Sequence, residues 1–278
     1  MPRHRFDQVD VFTAQPLRGN PLAVVHDADD LDDATMAAFA RWTNLSETTF
    51  LLQPTDPAAD YRVRIFTPGG ELRFAGHPTL GSCFAWLAAG GQPQRVDEVV
   101  QQCGVGLVRV RRDGSRLAFA APPTTVTAVE PALLAAVLQA LRLAPAQCHA
   151  AAWLDNGMPQ LVLELDSAAT VLSLEPDHAA LKGLAKVGAV GPWPAGSECE
   201  VEVRFFAAAI GIEEDPVTGS LNANLGHWLI DRQRLPLRYT AAQGSRLGRA
   251  GRVHVLRDGD TLWIGGDVVP LIEGLLQL

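Results

Sequence analysis

Glu47 is the side chain with the strongest claim to chemistry. It sits in Asn44-Leu45-Ser46-Glu47-Thr48-Thr49-Phe50-Leu51-Leu52. Asn44 followed three residues later by Glu47 has the spacing of a helix-capping box. The residues after it are β-branched and aromatic, so they form a strand and leave the box nothing to cap. A carboxylate at the mouth of a buried strand is held rigidly and partly desolvated. That moves its pKa toward the range of a general base. Two further ionisable groups lie where helices start. His77, in Gly76-His77-Pro78-Thr79, can donate to a substrate oxygen or relay a proton, although a lone histidine is more often structural. Asp215 belongs to Glu213-Glu214-Asp215-Pro216-Val217-Thr218-Gly219-Ser220. Pro216 restricts its backbone, and its carboxylate can accept hydrogen bonds from a substrate amine or hydroxyl. The rest of that acidic run reads as a solvated loop.

Gly76 and Gly219-Ser220 put small residues at the beginnings of two apolar helices. Free N–H groups in a first helical turn bind a carboxylate, and the helix dipole helps. Ordinary capping by Ser and Thr is the competing reading. Other chemistries lack their signatures. Gly104-Val105-Gly106 has no third glycine and no βαβ context, so there is no dinucleotide fingerprint. No phosphate-binding P-loop, H-E-x-x-H or G-x-S-x-G pattern occurs. Cys83, Cys103, Cys148 and Cys199 are scattered, with no C-x-x-C pair, and read as reduced thiols rather than metal ligands.

The elements that must hold these residues are written twice. Gly19-Asn20-Pro21-Leu22-Ala23-Val24-Val25 matches Gly157-Met158-Pro159-Gln160-Leu161-Val162-Leu163. Val63-Arg64-Ile65-Phe66 matches Val203-Arg204-Phe205-Phe206. Gly76-His77 matches Gly219-Ser220, and Arg112-Asp113-Gly114 matches Arg257-Asp258-Gly259. The matches keep their order and their offset drifts slowly, as small insertions would make it. Each half therefore carries a strand after a G-x-P turn and then an amphipathic helix, 33–42 in the first half and 176–186 in the second. A V-R-x-F strand, an apolar helix (76–89 and 219–232) and a hairpin closed at R-D-G follow. Another helix, 131–143, opens the second half. Glu47 corresponds in this alignment to the stretch Gly188-Ala189-Val190-Gly191, which has no ionisable side chain, so the duplication carries one base and not a pair. The Pro- and Thr-rich Ala121-Pro122-Pro123-Thr124-Thr125 breaks both periods and divides residues 1–122 from 123–278. The last dozen residues fall beyond the repeat and can pair back on either half. The expected fold class is α+β: two pseudo-symmetric halves, each a strand-rich, barrel-like sheet around one apolar helix, with a ligand cleft between them.

Bulk composition limits the partners. The chain has 278 residues, 47% hydrophobic and 19% charged, enough for two modest domains with cores. A net charge of -8 without blocks of like charge argues against nucleic acid and anionic membrane. No signal peptide and no stretch of about 18 apolar residues is seen, so a cytoplasmic protein is expected.

Taken together these segments resemble the PhzF-like family of phenazine biosynthesis. The resemblance runs over nearly the whole chain. It rests on Asp10-Val11-Phe12-Thr13 with Gly19-Asn20-Pro21, Ser46-Glu47-Thr48, Arg64-Ile65-Phe66-Thr67-Pro68, Glu71, Gly76-His77-Pro78-Thr79, Asp215-Pro216-Val217-Thr218-Gly219-Ser220, and Gln243-Gly244 with Gly248-Arg249. It implies the diaminopimelate-epimerase-like fold, a homodimer, no cofactor and no metal. It also implies that Glu47 is the acid/base that shifts a proton between carbons, and that Gly76, His77, Asp215, Gly219 and Ser220 line the substrate site. Related two-thiol racemases of this fold carry a cysteine directly before each helix-start glycine. Here those positions are Ala75 and Thr218, so two-thiol racemisation is excluded by residue type. Many relatives have Cys-Gly-His-Ala where this chain has Ala75-Gly76-His77-Pro78, and Pro78 is tolerated in a first helical turn. The expectation is a cofactor-independent isomerase of a small carboxylic acid. A one-base epimerase and a non-catalytic metabolite-binding protein on the same scaffold are the alternatives.

Overall fold

The computed structural model describes residues 2–114 and 116–278, and the chain divides into two compact units. One unit runs to Ala120 and takes back Gly265–Leu278; the other is Ala121–Ile264. The fold is the strand-rich α+β type expected, with few helices. Among the described residues no helix is long and apolar enough to cross a membrane.

The first unit is built from β1 (Arg3–Val11), β2 (Asn20–Val25), β3 (Thr48–Leu52), β4 (Tyr61–Thr67), β5 (Gly70–Leu72), β6 (Glu98–Cys103), β7 (Gly106–Asp113) and β8 (Arg116–Ala120). The C-terminal strand, Val268–Gln277, pairs antiparallel with β1, from Arg3↔Gln277 to Val11↔Val268. Two helices complete the unit, α1 (Asp33–Thr43) and α2 (Gly76–Ala88). Asp32 caps α1 by accepting from the Thr35 N–H, and Asn44 ends it in the left-handed region at φ 54°. Asn44 is thus the end of one helix and not the cap of another. Helix α2 is apolar on all sides because β1, β2, β3, β6, β7, β8 and the C-terminal strand surround it. Its approach is close enough that a Cβ on Gly81 would come within 2.5 Å of Leu22.

The second unit repeats the plan with β9 (Thr125–Thr127), β10 (Cys148–Asp155), β11 (Gln160–Leu165), β12 (Val187–Pro192), β13 (Val201–Phe206), β14 (Arg238–Gln243), β15 (Gly251–Asp258) and β16 (Thr261–Gly266). Its helices are α3 (Pro131–Ala140), α4 (Ala168–Ser173), α5 (His178–Lys182) and α6 (Gly219–Asp231). Helix α6 is buried from Leu221 through Leu225, and Gly226 packs its backbone against Leu262 and Val255. The helix expected over 176–186 is corrected here. Only His178–Lys182 is helical, started by Asp177 accepting from Ala180 N–H and ended at Gly183. The same amphipathic need is shared with α4, whose Val171 joins Leu181, Val187 and Phe206 in one core cluster. The helix opening the second unit stops at Ala140, with Leu141 as its C-cap, rather than at 143.

The V-R-x-F repeat explains itself in packing. Arg64 and Phe66 share a face of β4, and Arg204 and Phe206 share a face of β13. Each guanidinium lies over its ring, 5.1 Å and 4.8 Å from the centroid. Each also forks onto a glutamate: Arg64 onto Glu71, and Arg204 onto Glu214 at 2.9 and 2.8 Å. The pairs differ in burial. Glu71 is exposed, whereas Arg204 and Glu214 side chains keep only 4% and 8% of their surface. The acidic run at 213–215 is therefore not a solvated loop: Glu214 is buried and paired.

Candidate active site

Glu47 stands immediately before β3, and that strand is pinned on both faces. Thr48 donates to Thr43 at the end of α1, whose own hydroxyl donates to Ala40 O. Ser82 of α2 donates to Thr49 at 2.9 Å, and Thr49 donates to Ala23 O. With Thr49 turned to α2, Glu47, two residues earlier, is turned the same way. Its Oε2 lies 3.4 Å from Nε2 of His77, the second residue of α2, and both side chains are largely buried. The two residues singled out in the first half of the sequence are thus in contact.

The state of His77 follows from its surroundings. Burial drives its pKa down to about 3, and a hydrogen bond to the Pro21 backbone opposes this only in part. Proline has a carbonyl but no N–H, so the imidazole must donate to it. A neutral ring has one N–H, and it is committed to Pro21. The nitrogen facing Glu47 is therefore a lone pair, and a proton carried by Glu47 has an acceptor within reach. One consequence is measurable. Between pH 6.5 and 3 the unfolded chain protonates this histidine and the native state does not, so stability falls as pH falls through that window. From pH 7 to 5 the loss attributable to His77 is about 2 kcal/mol. His26 adds to it, because burial lowers its pKa despite the 2.7 Å contact with Asp7. Urea titrations at the two pH values should show this loss, and His77→Asn should remove its own share. An equal loss in that variant would contradict a neutral buried imidazole.

The start of α2 is held by polar side chains and not by a cap. Ala75 offers no side-chain hydrogen bond. Tyr61 donates to Gln101, Gln101 to Thr79, and Thr79 to Ala75 O, in distances of 2.9, 3.1 and 2.9 Å. Pro78 has no N–H to offer, so Gly76 and His77 supply the amides of the first turn.

The second unit gathers Asp215, Gly219 and Ser220 around the first turn of α6. Thr218, at the N-cap, makes no capping bond; its hydroxyl donates instead to Asp215 Oδ2. Gln243, at the end of β14, organises this corner. Its Nε2 donates to Thr218 Oγ1 and to Asp215 O, and its Oε1 accepts from Thr218 N–H and Asn222 Nδ2, at 3.0–3.2 Å. With its amide so committed, Gln243 leaves the Thr218 hydroxyl only Asp215 to donate to. Gly244 lets the chain turn away, at φ 89°, where a Cβ would come within 2.6 Å of Pro216 O. Ser220 accepts at Oγ from Gln160 and at its carbonyl from Asn156. Simple capping is thus absent at both helix starts.

One expectation changes with the strand pairing. β2 runs parallel to β3 with Ala23 opposite Thr48, and β11 runs parallel to β12 with Leu161 opposite Val187. Ala23 and Leu161 stand at equal distances from Gly19 and Gly157. The residue equivalent to Glu47 is therefore Lys186 and not a member of Gly188–Gly191, so the second unit does hold an ionisable side chain there. Sequence reasoning named Thr218 and Gln243 within motifs but gave them no part in holding Asp215, and it missed Asn222 and Gln160. The local signal for the missed pair was a single polar side chain beside apolar ones, Gln160 before Leu161-Val162-Leu163 and Asn222 between Leu221 and Ala223.

Among the described residues no group of three or more His, Cys, Asp or Glu is placed to hold a metal ion. Comparison with known proteins gives concordant results. A family model described as "Phenazine biosynthesis-like protein" (PhzC-PhzF) matches residues 9–274. The chain is 36% identical over 262 residues to trans-2,3-dihydro-3-hydroxyanthranilate isomerase of Pseudomonas aeruginosa, covering 92% of this chain and 91% of that one. It is 36% identical over 293 residues to antisense-enhancing sequence 1 of Schizosaccharomyces pombe, covering 99% of each. A solved PhzF-family structure from Bacillus anthracis shares the fold at a TM-score of 0.87 and 20% identity over the whole of both chains.

Proposed function

The chain belongs to the phenazine biosynthesis-like PhzC-PhzF family and is an isomerase, and on that premise we propose that it moves a proton between carbons of a small carboxylic acid with Glu47 as its single acid/base. The observation that carries this reading is the buried contact of Glu47 with a neutral His77. Glu47 as carboxylate takes a proton from one carbon of the substrate. The electron pair left behind shifts the double bond, and the carboxyl returns the proton to another carbon. His77, itself uncharged, keeps a lone pair beside that carboxyl, ready to accept from it when it carries the proton. The step is redox-neutral and uses a side chain as base, so it needs no cofactor.

The remaining residues bind. Asp215 accepts from an amine or hydroxyl of the substrate, with its own orientation set by Thr218. The first-turn amides at Gly76 and His77, and at Gly219 and Ser220, suit a carboxylate. The named activity of the Pseudomonas relative supplies the first compound to try, since trans-2,3-dihydro-3-hydroxyanthranilate carries carboxylate, amine and hydroxyl on a conjugated ring.

Incubation in D2O with that compound, and with a panel of small amino, hydroxy and cyclic unsaturated acids, tests the reading. Deuterium uptake at carbon with a moved double bond is the expected result. Uptake with inversion of a stereocentre and no moved double bond would establish an epimerase instead. Tight binding with no uptake for any acid would overturn proton-transfer catalysis.

A further inference from the structure

Lys186 occupies in the second unit the place that Glu47 holds in the first. Each immediately precedes a strand running parallel to the strand that follows a Gly-x-Pro turn. The side-chain alternation agrees as well. Thr49 faces α2, where Ser82 donates to it, and Glu47 on the same side meets His77. Gly188 faces α6, where a Cβ would come within 2.7 Å of Leu221, so Lys186, two residues earlier, is turned toward α6. The backbone is anchored for this. Leu161 N–H donates to Lys186 O at 2.9 Å, and the adjacent Gln160 reaches the Ser220 hydroxyl in the first turn of α6.

The residue type is unusual for this chain. Of its 23 basic residues 21 are arginines, and only Lys182 and Lys186 are lysines. Lysine is a compact point charge that meets one carboxylate oxygen without the fixed fork of arginine. Lys186 is half-buried, and burial lowers its pKa, with Asp155 opposing that in part. A half-desolvated ammonium gains more from a ligand anion than an exposed one does.

We propose that Lys186 is a substrate-contacting residue whose ammonium takes the carboxylate of a small acid on the α6 face of the second unit. This rests on the reading of the substrate as a carboxylate. It makes the duplication functionally asymmetric: the same strand mouth carries a base in one unit and an anion-binding cation in the other.

The test uses the full-length enzyme and two stable ring compounds, 3-hydroxyanthranilate and 2-aminophenol, which differ only by the carboxylate. Binding of each is measured by calorimetry. Trace acetylation with acetic anhydride then reports the accessibility of both lysines by mass spectrometry, with Lys182 as internal reference. Saturating 3-hydroxyanthranilate should suppress acetylation of Lys186 at least tenfold relative to Lys182, and 2-aminophenol should bind at least tenfold more weakly. Lys186→Met should remove most of that preference for the carboxylate while keeping the melting temperature, and Lys186→Arg should restore part of it. Binding that leaves Lys186 labelling unchanged, or an intact preference in Lys186→Met, would overturn the role of Lys186 alone. Failure of the wild-type enzyme to bind either compound would overturn the substrate class, and this role with it.

Discussion

Replacing Glu47 with glutamine should lower proton transfer by about a thousandfold, the range that a general acid/base supplies, and leave the fold intact. The substitution is a fair test because glutamine keeps the shape of the side chain and supplies a fixed donor in place of the exchangeable carboxyl proton. Its amide N–H can point at the lone pair of His77 Nε2, which lies 3.4 Å from the present carboxylate oxygen. The threonines that pin β3 on either side are untouched. Only the ability to take up and give back a proton is lost. Glu47→Asp separates position from chemistry: it retains the carboxyl but draws it back by one methylene, and a misplacement of that size costs about a hundredfold. Deuterium exchange at the substrate carbon, with a melting curve for each variant, reads both. Near-wild-type exchange in Glu47→Gln would remove Glu47 from the mechanism.

The second large effect is on stability. Arg204→Met should destabilise the second unit by about 3–5 kcal/mol, because it leaves the Glu214 carboxylate buried without its partner. The guanidinium is held on every side: by the Glu214 fork, by the carbonyls of Val171 and Leu174, and by the ring of Phe206. Adding Glu214→Leu to the Met variant should recover a large part of the loss, since a matched apolar pair needs no charge compensation. The pseudo-equivalent Arg64→Met should cost only about 1 kcal/mol or less, as Glu71 stays solvated when its partner is removed. Urea midpoints followed by tryptophan fluorescence rank the variants. Similar losses at Arg64 and Arg204 would show that the difference in burial does not govern these pairs.

Much of the fold was legible because its signals are local. An apolar run after Gly76 and another after Gly219 are long enough to be helices, and both are. The β-branched run after Glu47 could only be a strand. The V-R-x-F repeat lies within β4 and β13, and R-D-G closes β7 and β15, so each is a short local pattern tied to one strand. What escaped depends on pairing between distant segments. The equivalence of Glu47 and Lys186 is set by the register of β11 on β12, which the drifting offset between the repeats does not reveal to within two residues. Glu214 looks solvated until Arg204, on β13, is seen to reach it. Gln243 is one glutamine among several until its amide is seen to tie Asp215, Thr218 and Asn222 together. Helix 176–186 was overextended because its apolar residues serve two short helices on one core instead of one long helix.

The C-terminal strand on β1 has a consequence for synthesis. β1 leaves the ribosome shortly before β2, which can pair with it at once, Phe6 opposite Val25. Its other neighbour begins at Val268, after the whole of the second unit has been made. At bacterial or eukaryotic elongation rates that wait is roughly 10–50 s. The later-made unit, contiguous in the chain, can close before the earlier one does. Throughout that interval the nascent chain presents an open strand edge flanked by Val9 and Val11, which are fully buried once it is complete. Chaperone occupancy on translating ribosomes would accordingly be expected to persist until the strand Val268–Gln277 has emerged, and to concentrate on the segment around β1.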